Sequence, residues 1–196
     1  MTDGRLPREQ MSDKTLMLRV RLGDELAFEH MYRRYHVKLQ DFFYGMVRHT
    51  EMAEDLCQET FARVWRIRHK YDATGSVAAY LFAIARNIWL EQCRTFRKDQ
   101  KLGTRYVFTD DWPYIIASRY KDPDEIAVRS EMKQHILDAI ERLPDEQRMV
   151  FVLRSIRGLS TDEIAEIMRC PANTVRSRRI LAVNKLRKML RGLLVI

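Results

Sequence analysis

The sequence predicts an all-α protein, two small helical domains joined by an irregular linker, and three observations carry that prediction. Apolar residues recur at intervals of three and four through most of the chain, the period of amphipathic helices. Helix breakers are scarce, with 7 Gly and 5 Pro among 196 residues, while hydrophobic residues make up 46%. The period lapses between Gly103 and Pro123, a stretch far longer than the about 4 to 6 residues usual inside one compact domain. The expected division is therefore residues 12–101, a linker at 102–123, and residues 124–196.

A short first helix is expected with Ser12 or Asp13 as its N-cap, Leu16, Met17 and Val20 on its inner face, and Gly23 at its end. From Asp24 to Val47 the positions Phe28, Met31, Tyr32, Tyr35, Leu39, Phe42, Phe43 and Met46 mark a long amphipathic helix. Met52 to Ile67 predicts the next, with Leu56, Thr60, Val64 and Ile67 on one stripe, Cys57, Phe61 and Trp65 beside it, and Glu51, Glu54, Asp55 and Glu59 toward its start. Acidic residues there suit the positive end of the helix dipole. The turn formers of Tyr71 to Ser76 then precede a helix from about Val77 to Thr95, and Arg86, Arg94, Arg97, Lys98 and Lys101 make that region increasingly basic.

The linker mixes Tyr106, Phe108, Trp112 and Tyr114 with Asp110, Asp111, Asp122 and Asp124. Helical period resumes after it, with Ile126, Met132, Ile136, Leu137, Ile140 and Leu143 as core candidates before Pro144. A helix carrying Asp145 and Glu146 in its first turn and Met149, Val150, Val152 and Leu153 on its apolar side should be closed by Gly158. Ser160-Thr161-Asp162-Glu163 is a capping box that opens a short helix holding Ile164, Ala165 and Ile167. Arg169 to Asn173 interrupts it, and a last helix runs from about Ala172 through Leu190 with Val175, Ile180, Val183, Leu186 and Leu190 expected inward. Short helix, tight turn and longer helix are helix-turn-helix geometry.

Composition narrows the function. The chain carries 35 Lys and Arg against 27 Asp and Glu, a net +8, which fits a polyanionic partner. The charge is unevenly placed: Arg169 to Arg191 holds eight basic residues and no acidic one, whereas Asp138 to Glu166 holds seven acids and four arginines. Asn173, Thr174, Arg176, Ser177 and Arg178 would stand on the first turns of the last helix, where major-groove readers place their donors. The alternative reading is a solvated basic helix face. Tyr80, Phe82 and Trp89 beside Arg86 suggest a second nucleic-acid surface, against the alternative that an aromatic stripe belongs to the core.

No metal or cofactor site is predicted. Cys57, Cys93 and Cys170 form no C-x-x-C pair, the five His residues form no H-x-x-x-H pair, and no G-x-S-x-G or Walker-type glycine loop occurs. No apolar run approaches the about 20 residues of a membrane span. The N-terminus has no apolar segment before a small-residue cleavage site, so the expected location is the cytoplasm.

Two motif sets resemble a known family. Asp55-Leu56-Cys57-Gln58-Glu59-Thr60-Phe61-Ala62-Arg63-Val64-Trp65, followed by Tyr80-Leu81-Phe82-Ala83-Ile84-Ala85-Arg86-Asn87, resembles region 2 of the extracytoplasmic-function sigma factors of the sigma-70 family. Leu143-Pro144-Asp145-Glu146-Gln147-Arg148, with Gly158-Leu159-Ser160, Glu163-Ile164-Ala165 and Thr174-Val175-Arg176-Ser177-Arg178, resembles region 4 of the same family.

The resemblance implies a dissociable, non-enzymatic subunit that binds bacterial core RNA polymerase through its largest and second-largest subunits, directs it to promoter DNA, and is restrained by an anti-sigma factor. No small-molecule substrate is implied. By the same resemblance Asp55, Gln58, Glu59, Phe61 and Val64 dock on the polymerase clamp. Tyr71, Tyr80, Arg86, Asn87 and Arg94 fall in the part that captures a base flipped from the minus-10 element. Thr174, Arg176, Ser177, Arg178 and Arg179 meet the minus-35 element, and the linker threads toward the RNA exit channel.

Three positions depart from the family pattern: Leu181-Ala182-Val183 stands where Arg-Ala-Arg is common, Glu91 where an Asp is, and Tyr80 where a Trp is. The first implies a minus-35 sequence of its own, with packing of Leu181 and Val183 against a partner as the alternative. Two rival functions compete with the sigma reading: a dimeric helix-turn-helix operator binder, which accounts only for the C-terminal half, and a helical nuclease, for which Glu54, Asp55 and Glu59 are the only clustered carboxylates.

Overall fold

The computed structural model describes residues 10–101 and 134–191, and all regular structure among them is helical. The expected linker, Ile126 and Met132 lie outside the described residues. Helix α1 is Asp13–Arg21, with Ser12 as N-cap accepting from the Thr15 amide at 3.1 Å. Gly23 turns the chain at φ 89°, and the Asp24 carboxylate accepts from the Ala27 amide at 3.0 Å to start α2, Glu25–Val47. Left-handed Arg48 ends α2, and α3 spans Thr50–Arg66 with the His49 ring taking the Met52 amide at 3.2 Å. After a 3-10 turn at Arg68–Lys70, α4 runs Val77–Lys101. It passes the expected end at Thr95 because no Gly or Pro stands in Phe96 to Lys101 to stop it.

Helix α5 covers residues 134–141, and Pro144 begins α6, Asp145–Phe151, which passes into a π turn, Val152–Ile156. Gly158 closes that segment at φ 70° as expected. Helix α7 is Thr161–Met168, and α8 is Ala172–Leu190. No helix among the described residues is long and apolar enough to cross a membrane.

The described residues divide into two compact units, 10–40 with 54–101, and 41–53 with 134–191. Packing thus assigns the last part of α2 to the C-terminal unit. The first unit buries Leu16, Met17, Val20, Leu39, Leu81 and Phe82. The second buries Phe42, Phe43, Val150, Leu153, Ile164 and Ile167, and α8 lays Ala182 and Leu186 against Ala139, Ile140 and Leu143. Two expected core residues are corrected: Ile136 is 39% exposed and Ile180 60% exposed. Helical period marks a face, but the neighbouring helices cover only part of the apolar arc, and both residues lie at its uncovered side.

Residues 41–48 are buried throughout, two of them charged. Asp41 meets Arg157 at 2.8 Å, with side chains 10% and 9% exposed, and Arg48 is paired with Asp138 and Glu141. Burial raises the Asp41 carboxyl above its ordinary range, opposed by the Arg157 guanidinium, and burial lowers Arg157 in turn. Both shifts have the sign of a pair whose desolvation outweighs its attraction. Asp41→Leu or Arg157→Met alone should therefore cost about 3–5 kcal/mol in chemical denaturation, while the double variant recovers most or all of that loss. Equal, additive losses in the cycle would refute the coupling.

Candidate nucleic-acid interface

In the first unit α4 carries the expected reading residues. Tyr80, Asn87 and Arg94 are seven apart, so they share one side of the helix. Tyr80, Arg86 and Asn87 are half-buried and Arg94 is exposed. The opposite side, with Leu81, Ile88 and Trp89, is core. Arg86 reaches the Asn87 carbonyl oxygen at 3.4 Å. The turn before α4 is fixed by Asp72, whose carboxylate accepts from both the amide and the hydroxyl of Thr74, at 3.1 and 2.9 Å. Those bonds hold its carboxyl below the usual range.

Tyr71 differs from the expectation of an open contact: it is 3% exposed and packs edge-on against Tyr80, ring centres 5.1 Å apart. It is the wall behind Tyr80. Neither phenol oxygen has a hydrogen-bond partner among the described residues. Burial raises both phenols above the ordinary range, with the Asp72 charge adding to each.

On α3, Asp55 and Gln58 are exposed and Glu59 is half-buried. Phe61 and Val64, expected on the same docking face, point inward instead, 4% and 1% exposed. Phe61 lies against Phe28 and Tyr32, with ring centres at 6.0 and 4.7 Å. The face open to a partner is therefore polar, and the two apolar residues support it from below. Sequence reasoning missed Arg63, which donates at 2.9 Å to each carboxylate oxygen of Glu91 on α4 and at 2.9 Å to Glu59. The Glu59/Arg63 spacing of four was a visible signal for half of this bridge; the long-range half to Glu91 was not.

In the second unit Ser160 and Glu163 close the expected capping box at 3.1 and 2.9 Å. Arg169 ends α7 in the left-handed conformation, φ 50°, and Pro171 stands before α8. Helices α6 and α7 both pack on α8, whose buried residues are Val175, Ala182 and Leu186. Arg176, Ser177 and Arg179 are exposed, and Thr174 is half-buried. The Arg176 guanidinium donates to Asn173 at 2.7 Å. Arg178 is committed otherwise, to the Glu146 carboxylate and, at 3.5 Å, to the Cys170 sulfur. Two further cations went unnoticed in the sequence, Arg154 and Arg187, which line one groove with Arg176 and Arg179 over Val150 and Ile164. Four guanidinium groups around one groove favour a polyanion.

The sigma-70 region 2 family matches residues 31–99 and the sigma-70 region 4 family residues 133–186. Among curated relatives, the ECF RNA polymerase sigma factor SigX of Bacillus subtilis is 32% identical over 165 residues, 84% of either chain. SigW of the same organism is 31% identical over 187 residues, 94% of this chain and all of the relative. The ECF sigma-E factor of Escherichia coli is 30% identical over 179 residues, 87% of this chain and 90% of the relative. Two solved structures share the fold. CnrH in complex with the cytosolic domain of CnrY has a TM-score of 0.68 at 22% identity, covering 92% of this chain and 97% of that one. The sigma factor RpoE of Bartonella quintana, in complex with the anti-sigma factor NepR, has a TM-score of 0.67 at 24% identity, covering 84% and 96%.

The paired phenols allow a direct check. A phenol with a raised pKa supports folding fully below its ordinary range and loses that support as pH climbs through the raised value. Tyr71→Phe removes a buried hydroxyl with no hydrogen-bond partner among the described residues, so it should raise stability at neutral pH by about 1 kcal/mol and delay alkaline unfolding. An equal or greater loss than Tyr71→Ala, read by thermal denaturation, would refute this environment.

Proposed function

The chain belongs to the extracytoplasmic-function (ECF) RNA polymerase sigma factors, and on that footing we propose a division of labour between its two units. It binds core RNA polymerase and directs promoter-specific initiation; it is not an enzyme. In the proposal residues 12–101 hold core polymerase and the opened minus-10 element, residues 102–123 connect, and residues 124–196 hold the minus-35 element. Asp55, Gln58 and Glu59 meet the clamp, with Phe61 and Val64 shaping the surface they stand on. Tyr80, Arg86 and Asn87 receive the flipped base, Tyr71 backs the Tyr80 ring, and Arg94 takes a backbone phosphate. Unpairing costs a few kcal/mol, which stacking at about 1–3 kcal/mol per base offsets.

Arg176 and Ser177 are the base-edge readers of the minus-35 element, with Thr174 and Arg179 toward phosphate. Arg178 ties α8 to α6 through Glu146 and reaches the turn between α7 and α8 at the Cys170 sulfur. The observation that carries this reading is α8 itself: an exposed helix without a single acidic residue, held by a capped α7 in helix-turn-helix order. The proposed place of action is the cytoplasm, where core polymerase meets the chromosome. The proposed restraint is an anti-sigma factor, the class of partner with which the Bartonella RpoE structure was solved.

The test is transcription by bacterial core polymerase on fragmented genomic DNA. Discrete starts behind a shared two-part motif are expected, with Arg176→Ala weakening use of the upstream part and Asn87→Ala use of the downstream part. Arg176→Ala should also reduce the slope of log affinity against log salt if the side chain touches phosphate, by about 0.9 for each phosphate no longer neutralised. Tight operator binding without polymerase, together with failure to bind core, would favour the dimeric regulator.

A further inference from the structure

Two of the most exposed apolar side chains in the described structure are neighbours on α8: Ile180, 60% exposed, and Leu181, 50% exposed. They stand where the family pattern carries a cation at 181. The buried residues Val175, Ala182 and Leu186 fix which way α8 faces. With about 100° between successive residues, the opposite side between residues 173 and 184 is an arc of about 100° that holds Asn173, Ser177, Ile180, Leu181 and Asn184, and Lys188 follows on the same side one turn beyond Asn184. All five are exposed and none is charged. Cations flank that arc, Arg176 and Arg187 on one side, Lys185 and the Glu146-bound Arg178 on the other, while Arg179 stands nearer the seated face.

This is the layout of a major groove in negative. The groove has an uncharged floor of base edges between two walls of phosphate, about 12 Å across, the width of a helix with its side chains. The floor offers donors and acceptors to Asn and Ser, and it offers one apolar feature, the C5 methyl group of thymine. From Asn173 to Leu181 the rise is about 12 Å, the length of between three and four base-pair steps at about 3.4 Å each. A protein socket for the same two residues would have to be ringed by carboxylates on both sides, whereas duplex DNA supplies the flanking charge without further design.

We infer that Ile180 and Leu181 are specificity-determining residues that read thymine methyl groups, so that the upstream element of this factor's promoters contains A·T pairs at the positions they face. The inference rests on the reading of α8 as the minus-35 helix and adds to it residues and a base preference. Burying one methyl group is worth about fourfold in affinity.

The test uses holoenzyme assembled from the full chain and bacterial core polymerase, with promoter duplexes chosen by selection from random DNA. Thymines of the upstream element are replaced singly by deoxyuridine, which lacks only the methyl group. At one or two positions wild-type holoenzyme should bind the deoxyuridine duplex about fourfold more weakly, and Leu181→Ala or Ile180→Ala should abolish the difference at its own position. Both variants alter half-exposed or exposed side chains and should keep wild-type helicity and core binding. Arg176→Ala serves as the separate control. If it weakens binding while wild type is indifferent to deoxyuridine at every position, the methyl proposal falls and the minus-35 reading stands. If Arg176→Ala has no effect, the reading beneath it falls. Loss of core binding in Leu181→Ala without any methyl effect assigns the pair to a protein partner and overturns the proposal.

Discussion

Everything the C-terminal unit presents depends on how α8 is seated. Three residues, Val175, Ala182 and Leu186, are its buried residues, and two of them share a core with Ala139 and Ile140 of α5 and Leu143 of the turn before Pro144. A single slender stripe of this kind leaves most of the helix circumference free, and it determines the direction of every exposed side chain. Were the stripe wider, with Ile180 inside as its hydrophobicity suggests, the helix would roll and its cations would no longer flank an uncharged strip. The capping box on α7 and the left-handed Arg169 set the angle at which α8 leaves the turn, so local backbone chemistry and packing act on the same orientation.

The N-terminal unit meets the same demand through a charge bridge. Arg63 holds Glu59 on its own helix and Glu91 on α4, connecting the polar side of α3 to the helix that carries Tyr80 and Asn87. Glu91 is one of the places where the sequence departs from the family pattern. In this chain the longer carboxylate takes both bonds from the guanidinium at 2.9 Å. The bridge lies at the surface and its worth to stability is small; its effect is geometric, since it fixes the spacing of two helices to which the proposed function gives different ligands.

Much of the fold was legible because its signals are local. Ser12, Gly23, Pro144, Gly158 and the Ser160/Glu163 pair act on the few residues beside them, and each stands at a helix end in the structure. The bounds of α8 were legible for the same reason. What escaped were matters of which surface covers which. Phe61 and Val64 belong to a docking motif by sequence but to the core by packing. Ile136 and Ile180 lie on an apolar period that no neighbour completes. Residues 41–48 follow a helical period yet are buried on every side, because Asp41 and Arg48 find partners at 157, 138 and 141. Pairings separated by roughly a hundred residues leave no trace in local pattern. At the interface, the residue types were legible, while their availability was not: Arg178 looks the equal of Arg176 in sequence but is occupied by Glu146.

The placing of the cations on the edges of α8 also bears on time. Contacts to phosphate are alike at every step of a duplex, so a helix gripping by its edges can travel along DNA without giving up its hold. The uncharged strip between them adds nothing until the floor beneath it matches. On the proposed reading, arrival at DNA is governed by charge and ionic strength, and the decision to stay by a handful of uncharged side chains. A change in the strip alters dwell time at one site; a change at the edges alters the search over all of them.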